Sequence, residues 1–144
     1  MEKYDALKLE NQLCFPLYAA SRAVVRRYRP FLAELGLTYT QYIAMMVLWE
    51  ERKLSVKELG ARLFLDSGTL TPLLKSMERK GLVTRKRACE DERVLLVEVT
   101  EQGMALREKA LGVPPQIASC LRLEEEEAKQ LYVLAYKVLA AAEG

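Results

Sequence analysis

Two helix-start signals in close succession constrain the fold of this chain more than any other feature of its sequence. Ser55 with Glu58 forms a capping box, which predicts the start of a short helix. Asp66 or Ser67 then caps a second helix, and Gly81 marks its end because glycine readily adopts the left-handed conformation of a C-terminal cap. The segment therefore predicts two helices joined by a tight connector, the arrangement of a helix-turn-helix.

A β-prone stretch follows that second helix directly. Residues 82–99 contain two apolar runs on either side of a polar tip, Cys89-Glu90-Asp91-Glu92, and this pattern predicts a single hairpin. A helix-turn-helix followed at once by a hairpin is a winged helix. The expected fold is therefore mainly α with a small β-hairpin wing, and no other strand is predicted.

Upstream of this unit the sequence predicts more helix. Apolar residues at three-and-four spacing indicate a long amphipathic helix that ends at Gly36. Pro16 fits its first turn, and Pro30 is expected to bend it near its end. Thr38 with Gln41 forms another capping box, which opens the next helix.

Downstream of the hairpin, Thr100 caps a helix, the pair Pro114-Pro115 is expected to break the chain, and an acidic run opens a last helix. A small winged helix does not need long helices at both chain ends, so we expect these to pair with a second copy in a homodimer; completion of a monomeric core is the alternative. We predict one domain over residues 1–144. It comprises a DNA-binding unit at about 38–99, with the wing at 82–99, and dimerisation helices at about 1–36 and 101–144.

The distribution of charge indicates nucleic-acid binding. The net charge is only +2, but residues 52–87 hold ten Lys/Arg against three Asp/Glu, and the rest of the chain is net acidic. A solvated basic face without a partner is the alternative. Pro72 lies deep in the second helix of the helix-turn-helix and predicts a loosened first turn there. The residues expected to face DNA are Ser67, Gly68, Thr69, Thr71, Lys75 and Arg79 on that helix, and Arg85, Lys86, Arg87 and Arg93 on the wing.

The composition excludes several kinds of chemistry. Because the chain contains no histidine, it cannot form a Ser-His-Asp or Cys-His catalytic unit, or a His-containing zinc or haem site, and no cofactor is expected. Its three cysteines are widely spaced and fit neither a disulfide framework nor a CxxC metal clip. The apolar runs are too short to cross a bilayer and the amino end lacks a signal-peptide core, so we expect a cytoplasmic protein with free thiols.

Cys14, between Leu13 and Phe15, has two interpretations. It is either an ordinary buried thiol or a reactive one. If the first helix begins near Pro16, the unpaired N–H groups and the dipole at the helix start favour the thiolate of Cys14. A thiolate attacks a peroxide oxygen and becomes a sulfenic acid. The residues alone leave both interpretations open.

The order of elements and three motifs resemble the MarR family of dimeric bacterial transcription regulators. The stretch LDSGTLTPLLKSMERKGLVTRKR followed by DER resembles its recognition helix and wing, in which the arginine matching Arg93 enters the minor groove and the acid matching Asp91 holds it. The stretches LENQLCFPLYAASR and LGLTYTQY resemble the organic-hydroperoxide-sensing branch, the OhrR repressors. This implies palindromic double-stranded operator DNA as the partner and peroxide sensing by the cysteine matching Cys14, while Pro16 departs from the family pattern.

The resemblance also implies roles for residues far from Cys14. Tyrosines matching Tyr28 and Tyr39 donate hydrogen bonds to the sensor sulfur; by themselves these two are ordinary core aromatics. Tyr18 is a weaker candidate for the same pocket. Cys120, predicted to lie in a loop before the last helix, resembles the resolving cysteine of the two-cysteine subgroup, which bonds to the sensor of the other subunit. In one-cysteine relatives a small cellular thiol takes that role. Cys89 matches no role.

The sequence therefore predicts a repressor of organic hydroperoxide resistance genes that is released from operator DNA when Cys14 is oxidised. A MarR-type regulator released by reversible binding of a small ligand is the alternative. An enzyme, such as a thiol peroxidase, is disfavoured because DNA-binding and dimerising elements account for most of the chain.

Overall fold

The computed structural model describes residues 2–144, which form seven α-helices and one small sheet after two 3-10 turns, Asp5–Leu7 and Leu9–Asn11. The helices are α1 (Cys14–Ala33), α2 (Tyr39–Glu51), α3 (Val56–Leu63), α4 (Ser67–Arg79), α5 (Glu101–Ala110), α6 (Val113–Leu121) and α7 (Glu125–Glu143). The strands are β1 (Lys53–Ser55), β2 (Val83–Arg87) and β3 (Leu95–Val99).

The capping signals in the sequence open the helices as predicted. Thr38 Oγ1 accepts the N–H of Gln41 at the start of α2, Ser55 Oγ accepts the N–H three residues on at the start of α3, and reciprocal bonds complete both capping boxes. Asp66 is the N-cap of α4, and Gly81 follows that helix with a φ of +78°. The mainly α, winged-helix fold is confirmed.

The wing is the predicted hairpin of β2 and β3, but the sheet has a third strand. β1 pairs antiparallel with β3 on the side opposite β2, so the strand order is β1-β3-β2. Leu54 of β1 lies opposite Val97, and both side chains are buried. The prediction of a single strand pair was wrong because β1 is only three residues long between two helices, and pairing with β3, not local pattern, makes it extended.

The prolines lie within helices. Pro30 lies inside α1, which continues to Ala33, and its predicted bend stays a prediction. Pro114 and Pro115 were predicted to break the chain, and this was wrong. They lie in the first turn of α6, where a missing N–H is harmless. The placement of Cys120 in a loop was therefore also wrong, since Cys120 lies within α6.

The core surrounds α2 and holds α4 by one face. Leu70, Leu74 and Met77 of α4 are buried, as their spacing predicts. Burial contributes about 1.5–3 kcal/mol for each large apolar side chain, so these contacts fix which face of α4 points outward. The largest fully buried side chains are Leu32, Met45, Leu48, Leu59, Leu70, Leu74, Met77, Val83 and Val97.

Two helices leave apolar side chains uncovered. Leu13, just before α1, is 83% exposed, and α7 has no buried residue although it carries Tyr132, Val133 and Leu134. A single chain rarely exposes so many large apolar groups together, so these faces mark a contact surface. Within the described residues, no helix is both long enough and apolar enough to cross a membrane.

Candidate nucleic-acid interface and thiol site

The outer face of α4 begins at a well-formed N-terminus. Asp66 Oδ1 accepts the backbone N–H of Thr69 at 2.7 Å, and this bond is the main reason why the pKa of the Asp66 carboxyl lies below its usual value. The residues predicted to face DNA from this helix are all exposed, and none lies among its buried positions: Ser67, Gly68, Thr69, Thr71, Lys75 and Arg79. The face is therefore open to a duplex.

Pro72 does not loosen the start of α4, contrary to the prediction. The helix continues through it, and the Thr71 hydroxyl donates a hydrogen bond to the carbonyl of Ser67 at 2.9 Å. Proline removes one backbone donor, but the helix assignment is continuous from Ser67 to Arg79.

The basic residues of the wing fall into two groups. Lys86 and Arg87 are exposed. Arg85 is instead paired with Glu78 of α4: its Nη2 donates to Oε1 at 3.1 Å and its backbone N–H to Oε2 at 3.2 Å. Arg85 therefore ties the wing to the end of α4, and Lys86 and Arg87 remain unengaged by this contact.

Arg93 stands at the outer end of the wing in a fixed orientation. The Asp91 carboxylate accepts from Arg93 Nε at 3.0 Å, from Nη2 at 3.1 Å and from the backbone N–H at 3.0 Å. These bonds hold the pKa of the Asp91 carboxyl below its usual value. The Arg93 side chain is nevertheless 91% exposed, so the pair presents a pre-oriented guanidinium to solvent.

Cys14 is the first residue of α1, and it is exposed. It lies in the first turn, whose N–H groups have no partner inside the helix. The neighbouring Phe15 and Leu17 are also partly exposed. A thiol in this position has the positive end of the helix dipole on one side and apolar surface on the other.

Tyr28 of α1 and Tyr39 of α2 stack on each other at the corner between these helices, with 4.8 Å between ring centroids. Burial raises the pKa of Tyr28 to about 12, with smaller contributions from Tyr39 and Tyr42, and burial also raises the pKa of Tyr39. Both phenols therefore keep their protons at neutral pH and remain hydrogen-bond donors.

One chain does not bring these tyrosines to Cys14. Tyr28 is fourteen residues further along the same helix, and at 1.5 Å per residue this separates the two by about 21 Å. Tyr18 lies one turn from Cys14, where its hydroxyl accepts a hydrogen bond from Arg22 at 3.1 Å. The predicted sensor pocket is therefore not formed within a single chain.

Cys120 lies on α6 against the middle of α1. Its sulfur accepts a hydrogen bond from Nη2 of Arg27 at 3.3 Å, and the thiol is half-buried. Cys89 is exposed at the wing tip. The sequence did not single out Arg27, because a contact between residues 93 positions apart has no local signal.

Gln41 links the α1–α2 corner to α4, and only its capping role was predictable. Its Oε1 accepts from Thr38 N at 3.1 Å and from Lys80 Nζ at 2.8 Å, and its Nε2 donates to Ser76 Oγ at 3.1 Å. Lys80 Nζ also donates to the carbonyl of Gly36 at 2.7 Å. The end of α1, the start of α2 and the end of α4 thus share one polar cluster.

Comparison with known proteins identifies the family. A family model described as the transcriptional regulator SarA/Rot matches residues 26–110. The chain is 51% identical over 137 residues to an organic hydroperoxide resistance transcriptional regulator of Bacillus subtilis (strain 168), which covers 95% of this chain and 93% of that relative. The chain belongs to the MarR family of transcription regulators. It lies on the hydroperoxide branch and among regulators, not enzymes.

Two solved structures of a family member, AbfR of Staphylococcus epidermidis, resemble this chain over nearly its whole length. Reduced AbfR bound to DNA matches with a TM-score of 0.79 and 35% identity, covering 99% of this chain and 100% of AbfR. Disulfide-formed AbfR matches with a TM-score of 0.68 and 34% identity, covering 99% and 97%. The TM-score is thus higher for the reduced, DNA-bound structure than for the disulfide-formed one.

Proposed function

We propose that the protein is a homodimeric repressor of organic hydroperoxide resistance genes that binds palindromic operator DNA and is released when Cys14 is oxidised. The observation that carries this proposal is the exposed Cys14 at the first position of α1, on a chain whose recognition helix and wing face solvent. The 51% identity to a hydroperoxide resistance regulator supports the choice of inducer.

The DNA-binding unit supplies two kinds of contact. The outer face of α4 enters the major groove, and Arg93, oriented by Asp91, reaches the minor groove beside it. Two such units in a dimer lie about one helical turn, roughly 34–36 Å, apart on a palindrome. Lys86 and Arg87 add phosphate contacts, which make the affinity dependent on salt.

The second copy covers the apolar faces of α1 and α7. These faces are exposed in one chain, and burial of apolar surface is the main driving force of association. The domain division follows from this: residues of about 1–36 and 101–144 form the dimer frame, and residues 38–99 form the DNA-binding unit.

The dimer also completes the sensor. Because about 21 Å of α1 separates Cys14 from Tyr28, the tyrosine hydroxyls that hydrogen-bond to the Cys14 sulfur belong to the other subunit. Cys120 lies beside Arg27, thirteen residues along α1 from Cys14, whereas a disulfide needs its two Cα atoms within about 7 Å. This spacing favours a bond between subunits over a bond within one chain.

The chemistry requires only the peroxide and the two thiols. The Cys14 thiolate attacks one peroxide oxygen, the O–O bond breaks, and the leaving alkoxide takes a proton to become an alcohol. The product is a Cys14 sulfenic acid. Cys120 of the partner subunit then attacks that sulfur, a disulfide forms, and the oxygen leaves as water.

Release from DNA follows from a change in the relative position of the two recognition helices. AbfR, which is similar to this chain, has been solved both reduced on DNA and with a disulfide formed. A shift from almost fully bound to almost fully released needs a bias of about 5 kcal/mol between the two states, a scale that a covalent bond supplies.

The test is a gel run without reductant after one equivalent of cumene hydroperoxide, together with operator binding by fluorescence anisotropy. We expect a disulfide-linked dimer and loss of DNA binding, both abolished in Cys14→Ser, and loss of the dimer in Cys120→Ser. Cys89→Ser is the matched control and should behave as the wild type. If Cys14→Ser still releases DNA in peroxide, the redox proposal fails.

The same assays, repeated with a small thiol added to the peroxide or with a phenolic ligand in its place, separate the two alternatives. A mass gain from a small thiol at Cys14, without a linked dimer, indicates a one-cysteine sensor. Release by a phenolic ligand from a chain that ignores peroxide indicates a ligand-controlled regulator.

A further inference from the structure

Arg27 is the polar partner of the Cys120 thiol. The two residues join the middle of α1 to α6, with 3.3 Å between Nη2 of Arg27 and the sulfur of Cys120. None of the ion pairs formed by residues 2–144 involves Arg27, so its charge is not neutralised by a carboxylate. Its guanidinium is directed at the sulfur.

We propose that Arg27 is a positioning residue for the resolving step: it orients the Cys120 sulfur and stabilises the negative charge on it as it attacks the sulfenic acid of Cys14 in the partner subunit. This inference rests on the proposed function. A hydrogen bond in which one partner is ionised is roughly twice as strong as a bond between neutral groups, and the bond from the guanidinium to a thiolate carries opposite charges on its two sides. Since the thiolate is the attacking species in thiol–disulfide chemistry, a donor that favours charge on sulfur speeds the attack.

The step balances without any further reactant. The sulfur of Cys120 donates an electron pair to the sulfur of Cys14, the S–S bond forms, and the S–O bond of the sulfenic acid breaks. The leaving oxygen takes the proton that Cys120 gave up and departs as water. Arg27 keeps all its protons, since a guanidinium does not titrate in proteins. The disulfide sulfur is neutral, so the hydrogen bond from Arg27 weakens once the bond has formed.

A purely structural role for Arg27, as a tie between α1 and α6, makes a different prediction. In that case removal of the guanidinium lowers the stability of the dimer but leaves the intrinsic reactivity of Cys120 unchanged. Arg27→Lys also separates the two roles, because it keeps the charge near the sulfur while losing the planar fork. Arg26 is the matched control: it is the adjacent arginine, it is exposed, and it forms none of the ion pairs of residues 2–144.

The first measurement is the rate of Cys120 alkylation by iodoacetamide at pH 7 in a Cys14→Ser, Cys89→Ser chain, where Cys120 is the only thiol left. We expect Arg27→Met to slow alkylation about threefold: one charge-assisted hydrogen bond changes the thiolate fraction about tenfold, and the lower intrinsic nucleophilicity of a stabilised thiolate offsets about half of this on a logarithmic scale. Arg27→Lys should restore most of the rate, and Arg26→Met should leave it unchanged. Equal rates in Arg27→Met and the parent chain, or an equal loss in Arg26→Met, would overturn the proposal.

The second measurement uses the chain with all three cysteines and one equivalent of cumene hydroperoxide. In Arg27→Met the sulfenic acid at Cys14, trapped with dimedone and detected by mass, should persist about threefold longer than in the wild type before the linked dimer forms. If the wild type forms the dimer and Arg27→Met forms it equally fast, the inference about Arg27 alone fails. If the wild type forms no dimer, the resolving step of the proposed function fails and the role of Arg27 falls with it.

Discussion

Replacement of Gln41 by leucine tests whether the polar cluster between α1, α2 and α4 stabilises the fold. The Gln41 side chain is 4% exposed, so its hydrogen bonds are made away from water. Leucine is similar in size but removes the bonds to Ser76, to Thr38 and to the charged amine of Lys80. Neutral hydrogen bonds contribute about 0.5–1.5 kcal/mol each and charged ones about 1.5–3 kcal/mol. Since leucine gains apolar burial in return, we expect a net loss of about 2–4 kcal/mol.

Gln41→Glu provides the contrast that isolates hydrogen bonding from packing. A carboxylate still accepts from Thr38 and pairs with Lys80, and the Ser76 hydroxyl can turn to donate to it, so we expect less than half of the leucine effect. Gln116→Leu is the control, because Gln116 is exposed on α6 and a surface change of this kind costs within about 0.5 kcal/mol.

The assay is urea unfolding at fixed protomer concentration, followed by fluorescence of Trp49, the one tryptophan of the chain. Trp49 Nε1 donates to the carbonyl of Gly103 at 2.9 Å, so its emission reports on the core next to the cluster. If Gln41→Leu unfolds with the wild-type free energy, or if Gln41→Glu is equally destabilised, the attribution of stability to these bonds is refuted.

Three further predictions concern DNA binding, pH and packing. Arg93→Ala should weaken operator binding, measured by anisotropy at fixed salt, and leave the circular dichroism spectrum unchanged. Lys109→Ala on α5 is the charge-matched control. If Arg93→Ala binds the operator as tightly as the wild type, the wing is not part of the interface. The pKa of Asp66 is lowered in the folded state, so its stabilising effect is present above the unfolded pKa of about 3.9 and is lost as pH falls through the folded pKa. In a plot of the urea midpoint against pH, Asp66→Asn should therefore show a smaller fall at acid pH than the wild type. Gly103→Ala should destabilise by at least about 1–3 kcal/mol in the same unfolding assay, because a Cβ there meets the carbonyl oxygen of Leu82 and lies 2.7 Å from Val99 Cγ2, whereas Gly112→Ala meets nothing within 4 Å.

The predictable parts of this fold are those with local causes. Thr38, Ser55, Asp66 and Thr100 each cap a helix by accepting a hydrogen bond from the backbone N–H three residues on, and this relation can be seen in the sequence. The buried face of α4 likewise follows from helical spacing. These signals were sufficient for the winged helix and for the outward direction of the recognition face.

The parts that could not be predicted depend on long-range pairing or on a choice between two local outcomes. β1 is a strand only because β3 lies beside it. Pro114 and Pro115 are compatible both with a break and with a first helical turn, and the apolar packing of Val113 and Ile117 selects the helix. The predicted loop position of Cys120 was wrong for the same reason, because it depends on whether these prolines break the chain or begin a helix.

A short chain of contacts connects the stacked Tyr28 and Tyr39 to the recognition helix α4. Tyr39 stacks on Tyr28, and it lies two residues before Gln41, which hydrogen-bonds to Ser76 near the end of α4. Lys80, directly after α4, reaches both Gln41 and the carbonyl that follows α1. In the proposed function, a displacement of the tyrosine pair by oxidation of Cys14 would act on this stacked corner, whose hydrogen bonds end on the recognition helix. Since α4 is also packed through its buried leucines, the proposal expects the helix to shift with that corner and the spacing between the two recognition helices to change.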